Sequence, residues 1–465
     1  MQIDGMARCG RACRVSGRAK ALIFTTTLLS ITTTGIADVP ATQSTQPATA
    51  PAVQAPELTL MPPPDADDIA AAPTTQASEP EKFAPHPPND ISLTLKESYR
   101  QPAGLFPYGP ISLAYPLWKQ TTDSLRDGFG FSLGAETSLV YQGATPGPGD
   151  RSAGGGYTAL FGSWRLLGTP DARNNGYLNF KVDYQWQIGS EAPKALGGQI
   201  GSLWNTTKGM GETPVQVSQL FWRQGFLDSL FVFDLGKLDP TNYYSTNVWS
   251  SDRQFFMNAA FSTAPAIAYP GSGLGLNARF NPTTWLYLSA GFQDQQGSES
   301  RAGFNTFGDL DLFTVAELGF TPRIAGMGPG NYRATFWHAD AVPSESERSD
   351  QGFALSIDQA ITPQVVPFAR YEYNDTDLLK VHQLAAAGIG LHGHFFSEED
   401  VCGIGFSWGQ PSKSGLRDQY AAEAFYRVQV THTDQFSVGY QLILDPSNSG
   451  EDAVGVLWLR FRILF

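Results

Sequence analysis

Charge is scarce in this chain, and cysteine and histidine are scarcer. Of 465 residues, 16% are Asp, Glu, Lys or Arg, six are histidine and three are cysteine. No segment supplies the roughly 20 consecutive apolar residues that a spanning helix needs, and a mean hydropathy of −0.20 excludes a bundle of such helices. Cys9 and Cys13 stand within the first 37 residues, so beyond them Cys402 is alone and no internal disulfide can form. Lys and Arg number 31 against 44 Asp and Glu, a formal charge of −13. That disfavours nucleic acid as a partner, because phosphate binding needs clustered bases. What is plentiful is glycine (48 residues) and aromatic side chains (12%), the usage of a β protein with many turns.

The N-terminus reads as an export signal. Arg8, Arg11, Arg14, Arg18 and Lys20 precede the short apolar stretch "ALIFTTTLLSITTTGIA", and the small residues Gly35 and Ala37 are placed for cleavage before Asp38. Removal of residues 1–37 takes five bases and Asp4 with it and moves the charge from −13 to −17. Residues 38–89 are dominated by Pro, Ala, Thr and Gln without hydrophobic period, the composition of a disordered linker. Residues 90–127 form a pre-barrel segment in which "SLAYPLWKQTTDSLRDG" suggests a short helix.

From residue 128 onward the pattern changes. In "YLNFKVDYQWQIG" the residues Leu178, Phe180, Val182, Tyr184, Trp186 and Ile188 alternate with Asn179, Lys181, Asp183, Gln185 and Gln187. Period two places these sets on opposite faces of a strand. Sixteen such runs reach the last residue, joined alternately by long connections (near 142–156, 190–213, 238–271 and 294–309) and compact ones such as "GFLDS", "NPTT", "TPQ" and "HTD". An even number of antiparallel strands, with turns at one end and loops at the other, is the plan of a bacterial transmembrane barrel. The fold class is therefore an all-β transmembrane antiparallel barrel of about 16 strands over 128–465. Its apolar face meets lipid and its charged face a wet lumen. The chain ends within a strand, "GVLWLRFRILF", with Leu457, Leu459, Phe461, Ile463 and Phe465 on one face and Arg460 and Arg462 on the other. This resembles the terminal strand that outer-membrane assembly machinery recognises.

Motifs that resemble catalytic ones lack their setting. "GFSWG", Gly405 to Gly409, lies in an alternating strand rather than on the strand–turn–helix elbow that exposes a nucleophilic serine, so Ser407 is read as structural. "GIGLHG" lacks the βαβ unit of a dinucleotide site, and His392 and His394 lack a third metal ligand. No enzyme activity, cofactor or metal is expected. The 34-residue connection Leu238–Gly271, rich in Tyr, Trp, Phe and Asn, is too apolar for plain solvation, and packing into the lumen is preferred over a surface lid. Aromatic faces beside Asp, Asn and Arg suit sugars.

The segments "LFVFDLGKLD", "FFMNAAFSTAPAIAYPGSGLGLNARFNPTTWLYLSAGFQD", "VAELGF", "GNYRATFWHAD", "DQAIT", "FARYEY", "AAEAFYRVQV" and "VGVLWLRFRILF" resemble the carbohydrate-selective porins, OprB type, of Gram-negative outer membranes. The resemblance runs from about Trp118 to Phe465, includes Gly236, Lys237 and Asp239, and leaves out residues 38–110. It implies a sixteen-stranded pore, monomeric or homotrimeric, that admits glucose-like sugars to the periplasm through a lumen narrowed by inward-folded loops. By parity, Arg279, Glu317, Arg333, Trp337, Arg370, Glu372, Glu423 and Arg427 are expected to line the lumen, with Trp249, Asp252 and Arg253 near the constriction. The rival reading is a general or weakly cation-selective porin, and further off a barrel hydrolase built on Ser407 with His392 or His394, or an envelope tether acting through the linker.

Overall fold

In the computed structural model the described residues are 89–465, apart from 110–113, 146–147, 170–171, 299, 305, 343–347 and 395. The export signal (1–37) and nearly all of the linker (38–89) lie outside them. Sixteen strands form the wall. They are β1 (Phe131–Ala144), β2 (Ser152–Leu167), β3 (Asn175–Ile188), β4 (Thr213–Phe226), β5 (Phe231–Leu238), β6 (Gly273–Thr283), β7 (Leu286–Asp294) and β8 (Leu312–Phe320), followed by β9 (Gly330–Ala339), β10 (Asp350–Gln359), β11 (Val365–Asn374), β12 (Val381–His394), β13 (Ser397–Pro411), β14 (Gln419–Gln429), β15 (Asp434–Leu444) and β16 (Ala453–Leu464). Each pairs with its sequence neighbours, and β1 closes on β16 in register, Leu139 opposite Phe461. Closure leaves no strand edge unpaired, the condition for β structure in lipid. Among the described residues no helix is long and apolar enough to cross a membrane.

The alternation read from the sequence fixes the two faces. Tyr184, Ile188, Phe231, Leu235, Phe436 and Tyr440 are exposed on the outside, whereas Asn179, Asp183, Asp234 and Gln441 are buried within. Outward aromatic pairs such as Phe131 with Phe180 and Phe231 with Phe280 lie near the turn end, as an interfacial girdle requires. One connection differs from expectation. The run "SAGGG" is strand, because β2 begins at Ser152 and only residues 145–151 join it to β1. A Cβ on Gly156 would stand 2.2 Å from the ring of Trp186 on β3, so glycine here makes room for an indole lying flat on the neighbouring strand.

Two helices precede the wall. α1 (Ile91–Tyr99) is N-capped by Asp90, whose carboxylate accepts from Ser92 N–H, and α2 (Tyr115–Phe129) begins with Pro116 at its first turn. α2 sits at the turn end of the barrel, with Trp118 against Phe465 and Tyr115 against His432. α1 lies inside the lumen. The Tyr99 hydroxyl meets the backbone of Leu133 at the turn end, Glu97 pairs with Arg462 of β16, and Asp90 pairs with Arg223 of β4. Ile91 and Leu95, one turn apart on a single face, are buried.

Candidate functional site: a divided lumen

The connection between β5 and β6 leaves the rim and crosses the lumen to the opposite wall, where carboxylates fasten it through its own backbone. Glu423 of β14 accepts from the N–H groups of Met257 and Asn258 at 2.7 and 2.8 Å. Glu317 of β8 accepts from Ser245 N–H at 2.7 Å, and Glu372 of β11 from Ala266 N–H at 3.0 Å. The arginines take the carbonyls: Arg370 donates to Ser245 and Phe261, Arg427 to Gln254, and Arg460 to Asp252 and Phe255. A loop with no ladder of its own must satisfy its buried peptide groups elsewhere, and the wall supplies both signs of partner.

Apolar packing completes the fastening. Trp249 has no exposed surface; its ring stacks on His392 at 5.1 Å and its indole N–H donates to Val366 O at 3.1 Å. Phe256 and Phe261 meet the inward rings of Phe368 and Phe425. The connection between β3 and β4, carrying α3 (Pro193–Gln199), folds in above it, with Trp204 Nε1 donating to Asn258 and Thr206 accepting from Gln142 and Gln441.

The half of the lumen under β9–β16 is thus filled, and open space remains along β2–β7. At the loop end a cavity of about 570 Å³ is lined by Lys181, Asp183, Lys208, Asp239, Asp252 and Arg253 among others. At the turn end a second cavity, of about 440 Å³, lies between α1 and the wall, with Arg223, Asp234, Tyr243, Arg279 and Tyr287 in its lining. Asn242 lines both, and Asn89 and Asp90 stand in the upper and lower linings respectively. The two cavities therefore meet where the loop and the start of α1 approach: Asn89 donates to Ser250 O and accepts from Arg253 Nη2.

The residues singled out by parity fall into three groups. Asp252, Arg253 and Arg279 line cavities. Arg253 pairs with Glu136 at 3.4 Å and lies over the Tyr157 ring; burial alone would lower its pKa, but Glu136, Tyr157 and Asp252 outweigh burial and hold it above the ordinary guanidinium value. Asp252 accepts from Thr207 Oγ1 and Gly209 N–H. Glu317, Arg370, Glu372, Glu423 and Arg427 face inward but bind the loop, and Arg333 and Trp337 lie behind it, paired with Glu317 and packed on Phe313. Trp249 is in the loop's buried core. Sequence reasoning passed over α1, Arg223 and Lys181 as site components; Arg223 binds Asp234 through Nε and Nη2 at 2.8 Å each and reaches Asp90 at 3.1 Å.

Ser407 points inward from β13 with its hydroxyl toward Ala421 O, and His392 is taken up by Trp249; the side chain of His394 lies outside the described residues. Among the described residues no group of His, Cys, Asp and Glu is arranged to hold a metal ion.

Comparison with known proteins places this architecture. Pseudomonas putida OprB, in its high-pH structure, superposes with a TM-score of 0.62 over 75% of this chain and 97% of its own, at 18% identity, which shows a shared fold. Porin AaxA of Chlamydia abortus is 23% identical over 223 residues, and that of Chlamydia felis 21% over 220. The matched region covers 45% of this chain and 46% of each curated relative, about half the length of either. The family described as carbohydrate-selective porin, OprB family, matches residues 172–465, more than half of the chain. A closed sixteen-stranded wall, a loop clamped across the lumen and this match make the protein an outer-membrane channel rather than an enzyme, and the chain belongs to the carbohydrate-selective porin, OprB family.

Proposed function

We propose that the protein admits small, glucose-like carbohydrates to the periplasm by passive diffusion through the two cavities along β2–β7. The observation that carries this reading is the shared lining at Asn242: an upper chamber open toward the loop end and a lower one toward the turn end meet beside the clamped loop. Diffusion needs no catalytic group. It needs a bore that strips little water and a lining that binds weakly enough to let the solute leave.

The lining suits hydroxylated solutes. Tyr177 and Tyr243 in the lower chamber offer ring faces, and Asn175, Asn179, Asn277 and Asn281 offer paired donors and acceptors. Asp252, Arg253 and Arg279 act as lining residues in this reading, whereas Glu317, Arg370, Glu372, Glu423 and Arg427 act on solute only by holding the loop. The export signal is cleaved after Ala37, and the final strand ending at Phe465 is the segment that the assembly machinery reads.

The test is single-channel current through the purified protein in a planar bilayer, titrated with glucose, maltose and a dipeptide of similar size. Saturable reduction of current by a sugar and not by the dipeptide supports the reading. Current insensitive to every solute leaves a general porin.

A further inference from the structure

The chain is acidic, but its pore is not. Acids outnumber bases 44 to 31 in the whole sequence. In the linings of the two chambers the balance inverts: eight Lys and Arg side chains stand against five Asp. The imbalance grows when partners are counted. Asp90 and Asp234 share Arg223. Asp252 is occupied by Thr207 and Gly209, Asp239 by the hydroxyl and N–H of Thr241, and Asp183 by Gln216. Each carboxylate in the lining is thus already engaged by a donor.

Not every cation is matched in this way: in the upper chamber Lys194 has no ion pair among the described residues and Lys208 donates only to the Thr241 hydroxyl. Lys181, in the upper chamber, lies over the Tyr157 ring with its Nζ 5.4 Å from the centroid, and among the described residues no carboxylate comes within ion-pair distance of it. Arg279, in the lower chamber, lies flat on Tyr287 with its guanidinium carbon 3.7 Å from the ring centroid. Its Nε donates to Asn281 Oδ1 at 3.1 Å, its Nη2 has no hydrogen-bond partner, and it too lacks an ion pair among the described residues. A ring beneath and an amide at Nε fix the plane of the guanidinium, so its remaining N–H groups are presented in a set direction, the geometry that suits a carboxylate. Asn277, Asn281 and Ser289 line the same stretch of wall and supply groups for hydroxyls.

Building on the sugar reading above, we infer that the preferred solutes are monosaccharides carrying one carboxylate, aldonates and hexuronates, with Lys181 and Arg279 as successive stations for the charge. Cations without a carboxylate partner in both chambers attract a monoanion, and the amide and hydroxyl groups around them keep the binding weak enough for throughput. The reading also reverses the expectation of a mild cation preference drawn from the acidic sequence, because most of the acid lies outside the two linings.

The experiment uses the full-length protein in planar bilayers and in liposomes. The reversal potential in a KCl gradient gives the sign of selectivity, and swelling rates in glucose and in sodium gluconate or glucuronate give relative flux. An anion-selective potential, with gluconate passing faster than glucose, supports the inference. Arg279→Gln then lowers the gluconate-to-glucose ratio about threefold, the scale of one solvent-accessible ion pair, while Arg173→Gln, at an exposed turn pair with Asp228, leaves it unchanged. A cation-selective potential, or glucose passing freely with gluconate slower, overturns the sugar-acid inference and leaves the carbohydrate reading intact. Exclusion of glucose and gluconate alike, with ions still passing, overturns both. The wild-type measurements decide without any variant having to fold.

Discussion

α1 occupies space through which solute would otherwise pass, and its removal should be measurable as current. Nine residues at about 1.5 Å each make a rod roughly 13 Å long and 10 Å across with side chains, some 1,000 Å³ of lumen. The cavity beside it is about 440 Å³. A chain that starts at residue 100 behind an export leader therefore more than triples the open volume at the turn end. Current does not triple with it, because the upper chamber and the clamped loop remain in series. If the two halves share the resistance equally, cutting one to a third raises conductance about 1.5-fold. The wall should survive the truncation, since of the residues released from α1, Arg223 keeps Asp234 and Arg462 keeps Gln435 and Glu136 as partners. The assay is single-channel conductance in 1 M KCl, with heat-modifiable migration on gels as the check on folding. Unchanged conductance in a folded barrel would refute the placement of α1 in the ion path. A rise of tenfold or more would refute the series argument and make α1 the sole barrier.

Other perturbations follow from the same contacts. Glu423→Gln puts an NH2 group in place of one of the two acceptor oxygens, so one of the hydrogen bonds from Met257 and Asn258 N–H is lost, and it should lower thermal stability by about 2 kcal/mol while adding rapid flicker to the open-channel current. Gly390→Val should be more severe, because even its Cβ would stand 2.1 Å from the Trp249 ring; it expels the indole, and conductance becomes larger and variable as the loop lifts from β12. Trp249→Ala removes the same anchor by deletion and should cost about 3 kcal/mol, read from thermal melting followed by near-ultraviolet dichroism. At the turn end, hydrogen bonding from Lys119, then the nearby Lys119 and Arg126 charges, holds the Asp123 carboxyl below its ordinary value. A depressed carboxylate stabilises above the unfolded pKa and ceases to do so as pH falls through the folded one, so these pairs within α2 should steady the helix at neutral pH and cease to do so only in acid below about pH 4. Asp123→Asn removes that dependence, followed by Trp118 fluorescence against Phe465.

The wall was legible because a barrel in lipid leaves the backbone little freedom: every strand must alternate, and each slip would turn a charge into hydrocarbon. Asn179, Asp183 and Asp234 inside, with Phe231 and Tyr440 outside, follow from period two alone. What period two does not say is whether an inward charge meets water or protein. Glu423 and Arg279 have the same parity, yet one is clamped to a peptide 165 residues away in sequence and the other lines a cavity. The missing information was in the exceptions to the pattern. Phe161, Phe221, Phe313, Phe368, Phe425 and Trp458 all stand on the inward face, where an open pore would carry polar residues, and all are buried. Large rings facing a lumen require something apolar opposite them, and the connection rich in Trp, Phe and Tyr is the partner of several. α1 left a fainter trace: an Asp cap followed by Ile91 and Leu95 at helical spacing, in a stretch whose neighbours have no period at all. Inward rings are concentrated on the filled side of the barrel, with Phe313, Trp337, Phe368, Phe425 and Trp458, whereas along β3–β7, Phe221 and Tyr287 apart, the inward positions remain chiefly Asn, Ser, Asp, Lys and Arg. The charges that govern passage should be sought only on the second of these, and mutating the arginines and glutamates of the first tests the loop rather than the solute.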